Sequence, residues 1–307
     1  MAGTKEIKGR IVSVKNTRKI TRTMEMVSTA KSKRMTDRVN AAKPYGEKIA
    51  ELMDTLGGLK GQVESPLLRA VSEPKRIAVL VVTANRGLCG GYNANTLKLA
   101  RKVIEDHKAA GREVEVHMVG KKGAGFFKFV KIPVAKTYLN VDDKFEYSQA
   151  EELAEYFMDE FSANKLDKVE IVSTQYHNSS SQTPGVTPVL PVGGGAVAKT
   201  DEDDDDGEGP APKKRKTEKG YNANAIYEPS PELILKKLLP LTVKSIVYTA
   251  MLEAVTSEQI ARRIAMKNAT DNAGEMQKML TRKYNRARQA SITQELSEIV
   301  AGADAVG

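Results

Sequence analysis

The sequence predicts an α/β protein: a long antiparallel coiled coil of the N- and C-terminal helices, with a mostly parallel α/β domain inserted at one end. Three observations predict it. The first sixty residues carry a helical apolar stripe, and the last eighty carry a second, longer one. Between them, apolar runs of strand length alternate with helical stretches, the order of a parallel sheet covered by helices. A stripe of sixty residues, Leu241 to Val300, would make a helix about 90 Å long. No small domain buries such a helix, so it needs a partner helix along its length. The other long helix lies at the far end of the chain, which makes the pair antiparallel.

The N-terminal element, residues 1–60, is read from Ile7, Ile11, Val14, Thr21 and Met24, and resumes at Ile49, Leu52, Met53 and Leu56. Gly9 weakens it, Pro44 is expected to kink it, and Gly57-Gly58 to end it. The α/β domain is expected over 74–192. Ile77-Ala-Val-Leu-Val-Val82 is a continuous apolar run, as in a strand buried on both faces. A Gly-rich turn follows, then a helix from about Ala94 to Ala110. Val114 to Val119 is the next strand. Gly120 to Gly125 reads as another turn, followed by the apolar run Phe126 to Phe129. Ser148 to Phe161 is helical and Lys168 to Ser173 is a strand.

Residues 193–222 break this grammar. Gly193-Gly-Gly195 leads to Asp201-Glu-Asp-Asp-Asp-Asp206, then Pro210, Pro212 and Lys213-Lys-Arg-Lys216. Almost nothing there can be buried, so the segment reads as a disordered charged insertion. The basic block resembles a nuclear import signal, but a solvated loop whose blocks of opposite charge attract each other is the preferred reading. The C-terminal element, 228–307, opens with Ser230-Pro231-Glu232: an N-cap, Pro at the first helical position and a carboxylate in the first turn. Pro240 is expected to interrupt it. Beyond, Tyr248, Leu252, Val255, Met266, Ala269, Ala273, Met276, Leu280 and Ala287 repeat at heptad-like spacings with slips.

Composition narrows the function. The 307 residues carry a net charge of +9, no Trp and only 5% aromatics. Residues 1–43 hold 12 Lys/Arg against 3 Asp/Glu, an excess equal to that of the whole chain. An acidic partner is implied: a protein face, an anionic membrane surface or nucleic acid. Cys89 is the single cysteine, so no intrachain disulfide forms and a reducing compartment is expected. The first residues are too polar for a signal peptide, and no run of about 18 apolar residues is evident, so a peripheral or soluble protein is expected.

Catalytic constellations are absent from the sequence. Asn85-Arg-Gly-Leu-Cys-Gly-Gly91 sits between a strand and a helix, where nucleotide loops sit, yet fits neither G-x-G-x-x-G nor the Walker pattern with its lysine. Gly120-Lys-Lys-Gly-Ala-Gly125 also fits neither, and both read as tight turns. Cys89 has no histidine near it in sequence; His107, His117 and His177 are far apart and lack metal-ligand spacing. Asp201 to Asp206 lacks the Gly and Glu placement of a calcium loop. No cofactor or metal is expected. The basic helices suit DNA or an acidic protein surface, and the small residues Ala265, Ala269, Ala273, Gly274, Ala287 and Ala290 favour close helix packing over groove reading.

Five blocks then carry a resemblance. Lys5-Glu-Ile7, Lys19-Ile-Thr21 and Met24-Glu-Met-Val27 are similar to the N-terminal signature of F-type ATP synthase gamma subunits. Arg86 to Gly91 resembles that family's central motif, and Tyr227-Glu-Pro229 its entry to the last helix. Ala265 to Ala273 and Tyr284 to Val300 resemble its C-terminal signature. The blocks run in order over nearly the whole chain.

The resemblance implies a Rossmann-like α/β domain at the base of the coiled coil. It implies a non-catalytic rotor shaft that couples proton flow through the membrane sector to ATP synthesis or hydrolysis in a catalytic head. The implied partners are the alpha and beta subunits of that head, the epsilon subunit and the c-subunit ring, with membrane contact only through the complex. The place implied is the cytoplasmic face of a bacterial inner membrane. Met24, Arg86, Arg262, Arg288, Gln289, Thr293 and Glu295 are the implied contacts to the head. Tyr227 and Glu228 are the implied contacts at the epsilon and c-ring end. The insertion 193–222 departs from the family in length and charge, and one cysteine excludes a chloroplast-type thiol switch. The alternatives from other classes are a basic coiled-coil nucleic-acid binder, which leaves the acidic run and the C-terminal block unexplained, and a Rossmann-type enzyme, which the glycine pattern opposes.

Overall fold

The computed structural model describes residues 2–56, 65–69, 71–139, 141–193 and 228–304. The elements are α1 (Ala2–Thr55), a short 3-10 turn (Pro66–Leu68), β1 (Arg76–Val82), α2 (Tyr92–Ala109), β2 (Glu113–Val119), α3 (Lys121–Phe129), β3 (Lys136–Tyr138), α4 (Tyr147–Ser162), β4 (Lys168–Tyr176), β5 (Gln182–Leu190) and α5 (Pro231–Asp304). The expected α/β class with long terminal helices is thus found. Two compact units divide the chain: Met1–Ser32 with Leu88–Gly90 and Gln259–Gly307, and Lys33–Gly87 with Gly91–Glu258.

The second unit holds the sheet, in the order β3-β2-β1-β4-β5. β1, β2, β3 and β4 are parallel, and β5 pairs antiparallel with β4. Side chains alternate across a strand. Ile77, Val79 and Val81 therefore join Leu97, Ala100 and Ile104 of α2 and Phe127 of α3 on one face. Ala78, Leu80 and Val82 join Phe157 and Phe161 of α4 and Leu235, Leu239 and Val247 of α5 on the other. Helices cover both faces, which is why β1 reads as unbroken apolar sequence. Each fully buried Phe or Leu here stabilises the fold by about 1.5–3 kcal/mol.

Two strands escape the sequence reading. β3 has three residues, too few to show a period. β5 contains Pro184, Gly185 and Pro188, which argue against a strand; it lies at the sheet edge, where a missing N–H costs little. The stretch Gly120–Gly125 was expected to be a turn, but the structure corrects this. Only Gly120 turns, at φ +94°, and α3 starts at Lys121. Gly123 is there for space: a Cβ would collide with Met118 Sδ and lie 2.6 Å from Thr83 Oγ1, which accepts the Gly123 N–H at 3.0 Å.

Neither proline divides its helix. Helix α1 continues through Pro44 and α5 through Pro240, so the expected interruption at Pro240 is not found. An internal proline costs roughly 3 kcal/mol. Leu235, Leu238, Leu239 and Val243, all buried in the core around it, outweigh that cost. At the start of α5 the expected cap is present: Ser230 Oγ accepts the Leu233 N–H at 3.3 Å. The expected stop of α1 at Gly57-Gly58 and the insertion from residue 194 onward lie outside the described residues. One 18-residue stretch of α5 is apolar enough to cross a membrane, which corrects the sequence reading; 61% of it is buried within the protein.

α1 and α5 pack against each other within each unit. In the second unit Met35 and Val39 meet Leu252 and Val255. In the first, Thr21 bonds Thr270 and Arg18 lies over Gly274. Numbers rise along one helix as they fall along the other, so the packing is antiparallel. Among the inward positions on α1 in the first unit, flanked by half-buried Met24 and Lys31, are Ile7, Ile11, Val14, Thr21, Glu25, Ser28 and Ser32. Their spacing of three and four, or seven across exposed Arg18, is a coiled-coil seam. Leu52 and Met276, both counted into the stripes, are 46% and 49% exposed, and Gln277 takes the inward place beside Met276.

Candidate functional site

The first unit carries most of the expected contact residues. Thr270 Oγ1 lies 2.9 Å from Thr21 Oγ1, and fixes the local register. Thr21 also reaches Arg18 O at 3.1 Å and Thr270 reaches Met266 O at 2.8 Å. Two hydroxyl protons thus serve three contacts. From this pair, Met24 is three residues along α1 and Arg262 eight residues back along α5, in the same axial direction. At 1.5 Å per residue the two lie about 7–8 Å apart along the axis. Met24 is half-buried and Arg262 is buried at 8% exposure. The structure thus brings these two expected residues onto neighbouring turns.

The turn Leu88–Gly90 belongs to the same unit. Leu88 and Gly90 have φ of +65° and +56°, and a Cβ on Gly90 would lie 3.7 Å from Ala265 Cβ. Cys89 is buried at 2% exposure. The Gly90–Ala265 distance is an ordinary contact, so the positive φ of Gly90, and not lack of space, is what favours glycine there. In the second unit, Asn85 holds the loop's base: its Nδ2 donates to Leu139 O and Val141 O, each at 3.0 Å, and its Oδ1 accepts the Lys121 N–H at 3.1 Å. Arg86 beside it is exposed. These features match a structural turn.

Toward the end of α5 the character changes. Arg288, Gln289, Thr293 and Glu295 are all exposed. So are Ile292, Leu296, Ile299 and Val300, at 49%, 58%, 68% and 58%. The apolar four are spaced 4, 3 and 1, which is one helical face. A soluble surface does not gather such a stripe without something to cover it. Sequence reading picked the polar four and missed the apolar four, because a stripe at helical spacing reads first as core. Glu228 is exposed in the second unit, and Tyr227 lies outside the described residues.

Two of the three histidines are buried and structural. His117 is fully buried; its Nε2–H donates to Glu115 at 2.9 Å and its Nδ1 faces the Tyr138 hydroxyl at 3.4 Å. Burial pushes its pKa down against the pull of Glu115, so the ring stays neutral. His107 Nε2 meets Glu170 at 2.9 Å and its Nδ1 accepts from Arg112 at 3.0 Å. Among the described residues no group of three His, Cys, Asp or Glu could hold a metal ion.

Against known proteins, the ATP synthase family model matches residues 3–306. The ATP synthase gamma chain of Leptospira biflexa is 50% identical over 307 residues, all of both chains. That of Gemmatimonas aurantiaca is 44% identical over all of this chain and 99% of its own. Among solved structures, a chain of the Euglena gracilis mitochondrial ATP synthase rotor matches with a TM-score of 0.62 at 18% identity, over 95% of this chain and 99% of that one. A chain of that enzyme's OSCP/F1/c-ring structure gives 0.63 at 20%, over 99% and 95%. These structural likenesses show the fold, and the sequence matches show descent. The chain therefore belongs to the ATP synthase gamma-chain family.

Proposed function

We infer that this chain is the central rotor shaft of a proton-translocating ATP synthase, catalysing nothing by itself. The observation that carries this reading is identity of 50% across the full length of an ATP synthase gamma chain. In this reading the c-subunit ring turns the shaft, and its asymmetry drives successive catalytic sites of an alpha–beta head through binding and release. The exposed apolar stripe Ile292, Leu296, Ile299 and Val300 supports insertion of the α5 tip into a surrounding bearing of other subunits. Met24, Arg86, Arg262, Arg288, Gln289, Thr293 and Glu295 face the head. Tyr227 and Glu228 face the epsilon subunit and the c ring. The protein sits peripherally at the cytoplasmic face of a bacterial inner membrane, held there through the complex.

Polar contacts that break at each rotary step should be individually modest. One costs on the order of 1 kcal/mol, up to about 3 where a charge takes part. Arg288→Ala or Gln289→Ala is expected to lower ATP hydrolysis by the reconstituted complex about fivefold each, with unchanged melting of the subunit. The double change should cost more, without strict additivity. Wild-type turnover in the double variant would remove these two residues from the head contact.

A further inference from the structure

We propose that the outer face of α2 and α3 is a docking groove for an acidic, amphipathic segment of another polypeptide of the complex. The proposal rests on the shaft reading. A groove of about 650 Å³ runs between the two helices, with Leu97 and Phe126 at its floor and Lys98, Lys102 and Lys122 at its rim. Arg101 is spent on Glu105 at 3.2 Å. The three rim lysines make no ion pair among the described residues. Beyond the groove, Phe129, three residues past Phe126 on α3, adds an apolar side chain that is 82% exposed.

The two helical layers differ in charge where α2–α3 and α4 are compared. Helix α4, which packs on the opposite face, has five Asp/Glu and no Lys/Arg. On the α4 side the lysine Lys244 of α5 is held by Glu151 and Glu155, whereas the α2–α3 lysines have no such acidic neighbour helix. Unpaired cations around an apolar floor call for an occupant with both properties. Free phosphate would leave Phe126 and Phe129 in water. A nucleic acid needs cations tracking a phosphate backbone, whereas these flank an apolar trough. An amphipathic helix with carboxylates beside its apolar stripe fills the floor and neutralises the rim, the helix-in-groove mode of recognition.

The test is carbodiimide coupling on the purified complex, because this reagent joins carboxylates and lysine amines only where they touch. The chain must first co-purify with the head subunits; if it does not, the shaft reading falls and the proposed partner falls with it. In the complex, Lys244 with Glu151 at 2.7 Å and Lys165 with Glu160 at 2.9 Å are internal positive controls. Mapped amide links from Lys98, Lys102 or Lys122 to Asp or Glu of another chain are expected. Lys98→Glu with Lys102→Glu should cut those links at least tenfold while leaving the control links. Links from the rim only to Asp201–Asp206 of this chain would overturn the proposal in favour of self-occupancy. Control links with no rim links, in a chain that does co-purify, would overturn it outright.

Discussion

Asp167 shows how one side chain can tie several elements together. It sits at the entry to β4, 8% exposed. Its Oδ2 accepts the Lys75 N–H at 3.0 Å and the Arg76 N–H at 2.9 Å, and its Oδ1 takes Arg76 Nη2 at 3.0 Å. Arg69 Nη2 stands 3.6 Å away. Burial alone would raise its pKa, but the Arg76 side chain and the two backbone N–H groups outweigh that and hold it below the usual carboxylate range. A depressed carboxylate adds stability above its unfolded pKa, near 3.9. That contribution is lost as pH falls through the lower folded value. Asp167→Asn should cost about 2–3 kcal/mol at neutral pH, since it weakens charge-assisted bonds and adds a donor opposite donors. Melting temperatures followed from pH 7 to 3 should converge for the two proteins in acid. Parallel curves would mean that the carboxylate charge is not what holds these strand ends.

At the scale of elements, the seam between α1 and α5 in the first unit is unusually polar for a coiled coil. Thr21, Ser28, Ser32, Gln259, Arg262 and Thr270 are all buried there. Small polar residues let helices approach closely, and a polar pair at one layer penalises a shifted register. The Thr21–Thr270 pair can be tested by a double-mutant cycle. Thr21→Val or Thr270→Val alone should cost about 1 kcal/mol, because the shared contact is lost. The remaining hydroxyl still reaches its own helix's carbonyl, so the double change should cost little more than either single. A coupling of at least 0.5 kcal/mol is expected from denaturant unfolding of the purified chain. Strict additivity would show two independent back-bonded threonines with no role in register.

For the whole molecule, the fold offers a dinucleotide-type topology without the means to hold a nucleotide. Helix α2 follows β1 as it would in a nucleotide domain, but the loop between them carries no Walker lysine. Its Gly90 lies beside Ala265 of α5. The isolated chain should therefore bind no nucleotide tightly and turn none over. Equilibrium dialysis with ATP and a phosphate-release assay on the purified chain check this. Turnover that survives removal of every other subunit would contradict it. Activity belongs to the assembled complex, and variants of this chain should show their effects there.

Periodicity made the long terminal helices legible, because the drive to bury one face repeats at 3.6 residues, and apolar runs of strand length marked β1, β2 and β4. The resemblance of Tyr284 to Val300 located the α5 tip and its polar residues. Packing decided the rest. Gly123, which looked like a turn residue in sequence, is inside α3 because Met118 and Thr83 leave no room for a Cβ there. β5 is a strand despite two prolines because it takes the sheet edge. Ser28 and Ser32 are inward because the seam admits small polar residues, which no hydrophobicity pattern can mark. The exposure of Ile292, Leu296, Ile299 and Val300 likewise needed the fold: an apolar stripe has the same sequence whether it is covered by its own chain or left for another, and only tertiary contacts separate the two.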